Sequence, residues 1–353
     1  MQAELIDEAR RQIEICNACR YCEGFCSVFP SIHADRAFSD GDITHLANLC
    51  HNCRGCYYAC QYTAPHQFDL NLPAALAEVR QKSWSDYAWP QPFARLFERN
   101  GVVVATCLAL ATALLFWIAQ ALRPVSGEGF YAYLSHGVMV SIFAPAFLFP
   151  LIAMGVSIRR YWADTVGRPV TFAALKQATK DIAAMKNLSG GHGEGCNFED
   201  EDGYSHARRF AHQLTLWGFL LCFASTSSGT VLHYGFGLEA PYAFFSLPKL
   251  LGVPGGLMLC AGTAWLARLK LQADPELGAK AAWGGEMAFV ALLFAVSATG
   301  LLLYSATGSA LVSWLLPLHL GTVLALFLLI PYSKMAHGFY RTAALIGDSV
   351  RRC

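Results

Sequence analysis

Two runs with one spacing decide how this chain is read: residues 16–26, CNACRYCEGFC, and residues 50–60, CHNCRGCYYAC. Each is C-x2-C-x2-C-x3-C, so Cys16, Cys19, Cys22 and Cys26 are echoed by Cys50, Cys53, Cys56 and Cys60. Three closely spaced thiolates wrap three corners of one cubane, and the offset fourth faces away to reach a second. That logic assigns Cys16, Cys19, Cys22 and Cys60 to one [4Fe–4S] cluster and Cys50, Cys53, Cys56 and Cys26 to another, the crossing locking both halves together. Structural zinc is the alternative, but zinc sites usually draw two ligands from each of two separated loops, whereas each run here offers three. The proline that usually follows the fourth cysteine is missing, with Ser27 and Gln61 in its place. Arg20 and Arg54 sit inside the runs, either as ordinary surface arginines or as cations that offset the negative charge of a cluster and raise its potential.

Outside these runs the chain is too apolar for a soluble protein: of 353 residues, 55% are hydrophobic and 14% charged, against roughly 25% charged on average. The net charge of +1 gives no reason to expect nucleic acid. Eight of the thirteen cysteines lie between Cys16 and Cys60, the others being Cys107, Cys196, Cys222, Cys260 and Cys353. In a reducing compartment such crowding argues for metal ligation rather than disulfides. No apolar h-region with a small-residue cleavage site precedes the first cysteine, so the N-terminus is expected to stay in the cytoplasm.

Residues 1–95 read as a mostly helical soluble domain that ends at the linker Trp89-Pro90-Gln91-Pro92. A spanning helix needs about 20 mostly apolar residues, and the windows 101–122, 136–157, 210–233, 248–267, 286–306 and 310–332 supply them within a membrane domain, 96–353. A polar loop at about 158–209 holds a helical stretch near 171–188, the glycine-rich Gly190-Gly191-His192-Gly193-Glu194-Gly195-Cys196 and the acidic run Glu199 to Asp202. Arg95, Arg99, Arg159, Arg160, Arg208, Arg209, Arg268, Lys270, Lys334, Arg341, Arg351 and Arg352 fall on one side, and only Arg123 and Lys249 on the other. The positive-inside rule therefore predicts a bacterial inner-membrane protein with the cysteine domain, the long loop and the C-terminus in the cytoplasm.

Histidines within spans are rare and usually face the bundle interior. His319 and His337 are eighteen residues apart, five turns of one predicted helix and about 27 Å along its axis. His212 and His233 lie at the two ends of the third span. Two antiparallel helices would clamp an inner haem through His212 and His337, and an outer one through His319 and His233. Two imidazoles leave iron no open position, which suits electron transfer rather than oxygen chemistry. Interfacial histidines are the alternative, most strongly for His233 and His136. His192 with Cys196 is a weaker metal-binding pair.

The segments CNACRYCEGFCSVFPSI, LCHNCRGCYYACQYTAPHQFDLNLP and GGHGEGC resemble the CitB-type family, which includes tricarballylate utilisation proteins, over essentially the whole chain. The N-terminal part is similar to α-helical dicluster ferredoxin domains, and the expected fold class is an all-α membrane protein in which such a domain precedes about six transmembrane helices. HLGTVLALFLLIPYSKMAH, from His319 to His337, is similar to the two-haem helix of respiratory nitrate reductase cytochrome b subunits; on the partner helix His212 matches, but Cys222 stands where a second histidine is expected. The resemblance implies one or two haem b groups and a role in electron transport. A partner, an FAD-dependent tricarballylate dehydrogenase, would oxidise the substrate, and this chain would reoxidise its flavin and reduce membrane quinone. No G-x-G-x-x-G follows a strand, so the flavin is expected on the partner. The rivals are the membrane arm of a heterodisulfide-reductase-like complex, a redox-sensing transporter and a zinc-bearing anchor; no inverted repeat of spans supports the transporter.

Overall fold

The computed structural model describes residues 2–25, 28–122, 129–190, 193–198 and 203–352. Among them thirteen α-helices form and only two short strands pair. The all-α membrane architecture expected from the sequence is what the chain adopts.

The N-terminal part is built from α1 (Gln2–Cys19), α2 (Phe29–Ile32), α3 (Asp40–Leu49), α4 (Gly55–Tyr58) and α5 (Leu72–Tyr87). Helix α3 starts in a capping box: Asp42 N–H donates to Ser39 Oγ, and Ser39 N–H donates to the Asp42 carboxylate, which satisfies two orphan donors reciprocally. Asn71 caps α5 in the same sense, accepting from Ala74 N–H. Ile13, Phe29, Ile32, Ile43, Leu49 and Leu76 form the core of this part.

Among the described residues six helices are long and apolar enough to cross a membrane: α6 (Gln91–Ala121), α7 (His136–Thr165), α9 (Ala207–Phe236), α10 (Leu247–Gln272), α11 (Trp283–Ser305) and α12 (Val312–Leu329). They overlap the six expected windows, α12 stopping at Leu329, short of the end of the last one. Large apolar side chains face outward on them, Leu110 being 62% exposed and Ile152 57%, as lipid-facing helices require. The chain thus fits a multi-pass membrane protein. Helix α8 (Phe172–Ala184) and a hairpin, β1 (Cys196–Phe198) with antiparallel β2 (Gly203–Ser205), lie between the second and third spans.

Helices α9 and α10 pack backbone to backbone. A Cβ on Gly218 would stand 2.6 Å from the Leu259 nitrogen and 2.8 Å from the Gly255 carbonyl, and one on Gly262 would stand 2.7 Å from the Thr215 nitrogen. With lipid as apolar as the helices themselves, such close packing supplies much of the association.

One expectation is corrected. The last span does not run on to His337. Helix α12 ends at Leu329, a turn follows, and His337 belongs to a separate helix, α13 (Ala336–Arg352). Pro331 lies in that turn and has no N–H to donate to the Phe327 carbonyl, which favours a break there, although Pro145, Pro150, Pro254 and Pro317 are carried inside helices of the same bundle. The five-turn register between His319 and His337 is therefore lost.

Helix α13 instead folds back on the N-terminal part, with Ala344 and Leu345 entering its core. Ser31 Oγ donates to Asp348, and Arg351 pairs with Asp42 at 2.8 Å. His45 on α3 is 0% exposed beside Gly347 of α13, and neither ring nitrogen has a hydrogen-bond partner. Burial first, then the Arg351 charge, lowers its pKa from the ordinary 6.5 to about 3, against the opposing pull of Asp42.

Two predictions follow from this packing. Gly218→Leu forces α9 from α10 and should cost about 1–3 kcal/mol or more, lowering the thermal midpoint in detergent, whereas Gly155→Leu, with open space around its Cβ, should not. Equal midpoints for the two would refute the close-packing argument. His45 is neutral in the folded state, so below pH 6.5 the unfolded chain binds the extra proton. Its contribution is present above pH 6.5 and is lost as pH falls towards about 3; His45→Leu should flatten that acid limb of midpoint against pH.

Candidate functional site

Cys16, Cys19, Cys22 and Cys60 line one hollow at the surface of the N-terminal part, together with Cys56 and the rings of Tyr21, Tyr57 and Tyr62. The first run therefore meets the last cysteine of the second. Burial first, then the neighbouring Cys60, Cys22 and Cys19, pushes the Cys16 thiol up to about 12, and burial with Cys60 and Cys19 pushes Cys22 up to about 11. As thiolates in one apolar hollow these groups would repel each other, and a bound metal is what would stabilise that form. Tyr62 N–H donates to Cys60 Sγ at 3.3 Å, and Asn52 N–H to Cys50 Sγ at 3.4 Å. Such N–H···S contacts tune iron–sulfur sites.

Cys50 and Cys53 follow α3 in a loop where Asn52 and Arg54 take positive φ, 52° and 68°, and Cys56 lies on α4. Left-handed residues reverse the chain within a few positions, at a cost of about 1–2 kcal/mol each outside glycine. Cys53 is buried against Met185, Leu188 and Cys196. Its thiol is pushed up to about 12 by burial, then by Cys196 ahead of Cys50. The Phe25 carbonyl lies 3.4 Å from the Cβ position of Gly55, so the first run passes over the second just before residue 26. Cys26 itself and His192 lie outside the described residues. Among the described residues no three His, Cys, Asp or Glu side chains converge as on a single ion; a cubane holds its thiolates apart around a wide core. Arg20 is turned outward onto the Asn17 carbonyl, while Arg54 is partly buried and donates to the Asp274 carbonyl at 3.0 Å.

A cavity of about 460 Å³ is lined by His51, Asn52 and Arg54 of the second cysteine run, by Cys196 and by His212 and His337. The two imidazole centroids are 5.9 Å apart with planes at 75°. Metal–nitrogen bonds of about 2 Å, plus about 1 Å from each nitrogen to its ring centre, put trans imidazoles about 6 Å apart. His212 Nδ1 is buried without a partner, and His337 Nδ1 is held by the Lys334 carbonyl. Burial, then the charges of Lys334, His212 and Arg341, holds His337 well below the ordinary histidine range. That direction favours the neutral ring that a metal ligand requires. These residues fit a bis-imidazole haem.

The cavity walls are joined by arginines. Arg208, four residues before His212, donates to the Asn52 carbonyl at 2.6 Å; Arg341, four residues after His337, donates to the Cys50 carbonyl at 2.6 Å. Arg80 reaches the same Cys50 carbonyl at 2.8 Å. The i±4 spacing places each arginine on the face of its histidine, a pairing already written in the sequence as Arg208 with His212 and His337 with Arg341. Glu286 meets Lys270 at 2.5 Å and also pairs with Lys334, in the same wall.

The outer pair is not brought together. His319 Nδ1 lies 3.1 Å from Thr299 Oγ1, and its ring packs on Gly300. His233 stacks on His136, centroids 4.1 Å apart at 22°, with Tyr131 and Tyr234 around them. That stacking distance leaves no room for an iron between the rings, and His319 is not its partner.

Two family models match the chain: citrate utilization protein B over residues 97–352, and the citrate utilization protein B Fer4-like domain over residues 9–86. The citrate utilization protein B of Escherichia coli is 40% identical over 351 residues, covering 98% of this chain and 92% of that one. No solved structure matches. The Fer4-like domain supports iron–sulfur clusters and a part in electron transfer.

Proposed function

Because the chain belongs to the citrate utilization protein B family, we propose that it is the membrane electron-transfer arm of a substrate dehydrogenase, taking electrons from the reduced flavin of a soluble partner through two [4Fe–4S] clusters and haem b to membrane quinone. On the family resemblance that partner is an FAD-dependent tricarballylate dehydrogenase. Clusters and haem supply one-electron carriers, which let a two-electron flavin be emptied in single steps.

The observation that carries the reading is the shared cavity: His51, Asn52 and Arg54 of the second cysteine run line it together with His212 and His337. Cys16, Cys19, Cys22 and Cys60 are the proposed ligands of the outward cluster, and Cys50, Cys53, Cys56 and Cys26 those of the inward one. Tyr21, beside the outward hollow, is 62% exposed, so that end is open to a partner. His212 and His337 offer Nε2 to the haem, the Lys334 carbonyl fixing the His337 ring as an outer-shell acceptor does. Arg208 and Arg341 hold the cysteine loop against the two histidines. With His319 held by Thr299 and His233 by His136, the proposal places one haem, at the inner site.

The bacterial cytoplasmic membrane, with the cysteine domain in the cytoplasm, is the proposed setting. Lys270, Lys334 and Arg341 share the cavity end of the bundle with the cysteine loop, and positive charge marks the cytoplasmic end.

The protein isolated anaerobically should hold about eight non-haem irons, equal acid-labile sulfide and a low-spin haem b. Either His212→Ala or His337→Ala should abolish the haem spectrum and leave both cluster signals, while His233→Ala and His319→Ala keep it. Haem lost from the His319 variant but retained in the inner two would overturn the assignment. A green fluorescent protein fused after Cys353 should fluoresce and an alkaline phosphatase there should be inactive; the reverse would overturn the sidedness.

A further inference from the structure

The cavity that His212 and His337 line has two ends of opposite character, and the register of its walls tells them apart. Helices α9 and α10 run antiparallel: the Cβ position of Gly262 lies 2.7 Å from the Thr215 nitrogen, and that of Gly255 3.0 Å from the Cys222 nitrogen. The beginning of α9 is therefore level with the end of α10, and the ion pair of Lys270 with Glu286 brings the beginning of α11 to the same level. The lining residues follow this order. Arg208, Lys270 and Glu286 lie at that end, while Phe219, Leu266, Phe289 and Leu293 lie one to three turns further into the bundle. The cavity is charged towards the cysteine domain and apolar towards the membrane interior.

Two guanidinium groups at the charged end are short of an anion. Arg208 and Arg341 each lie about one turn from an imidazole, on the side of the cysteine run, and their hydrogen bonds go to carbonyls. Arg208 donates to Asn52 at 2.6 Å; Arg341 donates to Cys50 at 2.6 Å and to Asn48 at 3.4 Å. A guanidinium has five N–H donors, so both keep donors to spare, and among the described residues neither pairs with a carboxylate. The carboxylates that line the cavity are engaged elsewhere: Glu286 with Lys270 and Lys334, Asp181 with Lys186, and Asp274 with the Glu276 N–H.

Haem b is an amphipathic disc, with two propionate carboxylates on one edge and methyl and vinyl groups on the others. A carboxylate turned in among Phe219, Leu266, Phe289 and Leu293 would lose its water and find no partner. We infer that Arg208 and Arg341 hold the two propionates of the haem, one each, so that its charged edge faces the second cysteine run and its apolar edge the bundle interior. The inference rests on the reading that His212 and His337 ligate haem b. Arginine suits the task better than lysine, because its planar fork matches the two oxygens of a carboxylate. Each arginine then serves two partners, a carbonyl of the cysteine domain and a propionate, so that a bound haem tightens the junction between domain and bundle. No bond to iron is made or broken by these contacts.

The full-length protein, produced in cells unable to make haem and held in detergent, is titrated with protohaem and separately with its dimethyl ester, in which both carboxylates are blocked. The low-spin spectrum reports binding of each. The parent should bind the free acid about tenfold or more tightly than the ester, as hydrogen bonds between charged partners require. Arg208→Gln and Arg341→Gln should each bring that ratio down while changing ester binding little. Arg208→Lys and Arg341→Lys, which keep the charge but lose the fork, should give ratios between those of the parent and the Gln variants. Arginines that only hold the cysteine loop predict that each Gln variant weakens both haems alike, with the ratio unchanged. That result, or a parent that binds the two haems equally, overturns the inference; where a Gln variant does not fold, a parent-like ratio in the Lys variant overturns it. A parent that takes up neither haem in low-spin form would instead overturn the histidine reading beneath it.

Discussion

The contact on which the arrangement turns is a shared acceptor: the Cys50 carbonyl takes one hydrogen bond from Arg80 within the cysteine domain and another from Arg341 on the C-terminal helix. Cationic side chains buried at a domain boundary cost several kcal/mol of desolvation unless they are fully bonded. Here the loss is offset by carbonyls whose own helix partners have run out, because α3 has just ended. Arg208 does the same for Asn52. The loop that carries the second cysteine run is thereby nailed to the two helices that carry His212 and His337, and the spacing between thiols and imidazoles becomes a property of three guanidinium contacts.

That junction explains why the last helix breaks. A continuous helix past Leu329 would carry His337 and Arg341 away from the cysteine domain along the bundle axis. The turn containing Pro331 lets α13 swing onto α3, where Arg351 meets Asp42 and Gly347 makes room for His45. The same turn leaves the Lys334 carbonyl free to hold His337. The ion triad of Lys270, Glu286 and Lys334 then gives the one carboxylate two cations at the helix ends, where left unpaired in lipid it would be expensive.

The bundle itself is held by a different physics. Lipid offers no hydrophobic reward for joining helices, so contacts at Gly218, Gly255 and Gly262 bring α9 and α10 to backbone distance and gain dispersion that larger residues would forbid. His212 near the start of α9 is positioned by that pair, and the fixed helix gives it one direction in which to point.

The sequence by itself determined the elements whose signals are local. The doubled cysteine spacing is a contiguous pattern, and each span is a run of apolar residues long enough to satisfy its own backbone in lipid, so both were legible without knowing what lay beside them. Partnership was not. His319 and His337 look paired by helical period, but the helix ends between them at Leu329, and a period predicts a shared face only while the helix continues. His233 met His136, and Cys196 met Cys53, because hairpin and bundle packing brought together residues far apart in the chain. No spacing rule reaches across such separations: which thiol or imidazole faces which is set by where the glycines allow backbones to approach and where buried arginines find carbonyls, and those constraints exist only in three dimensions.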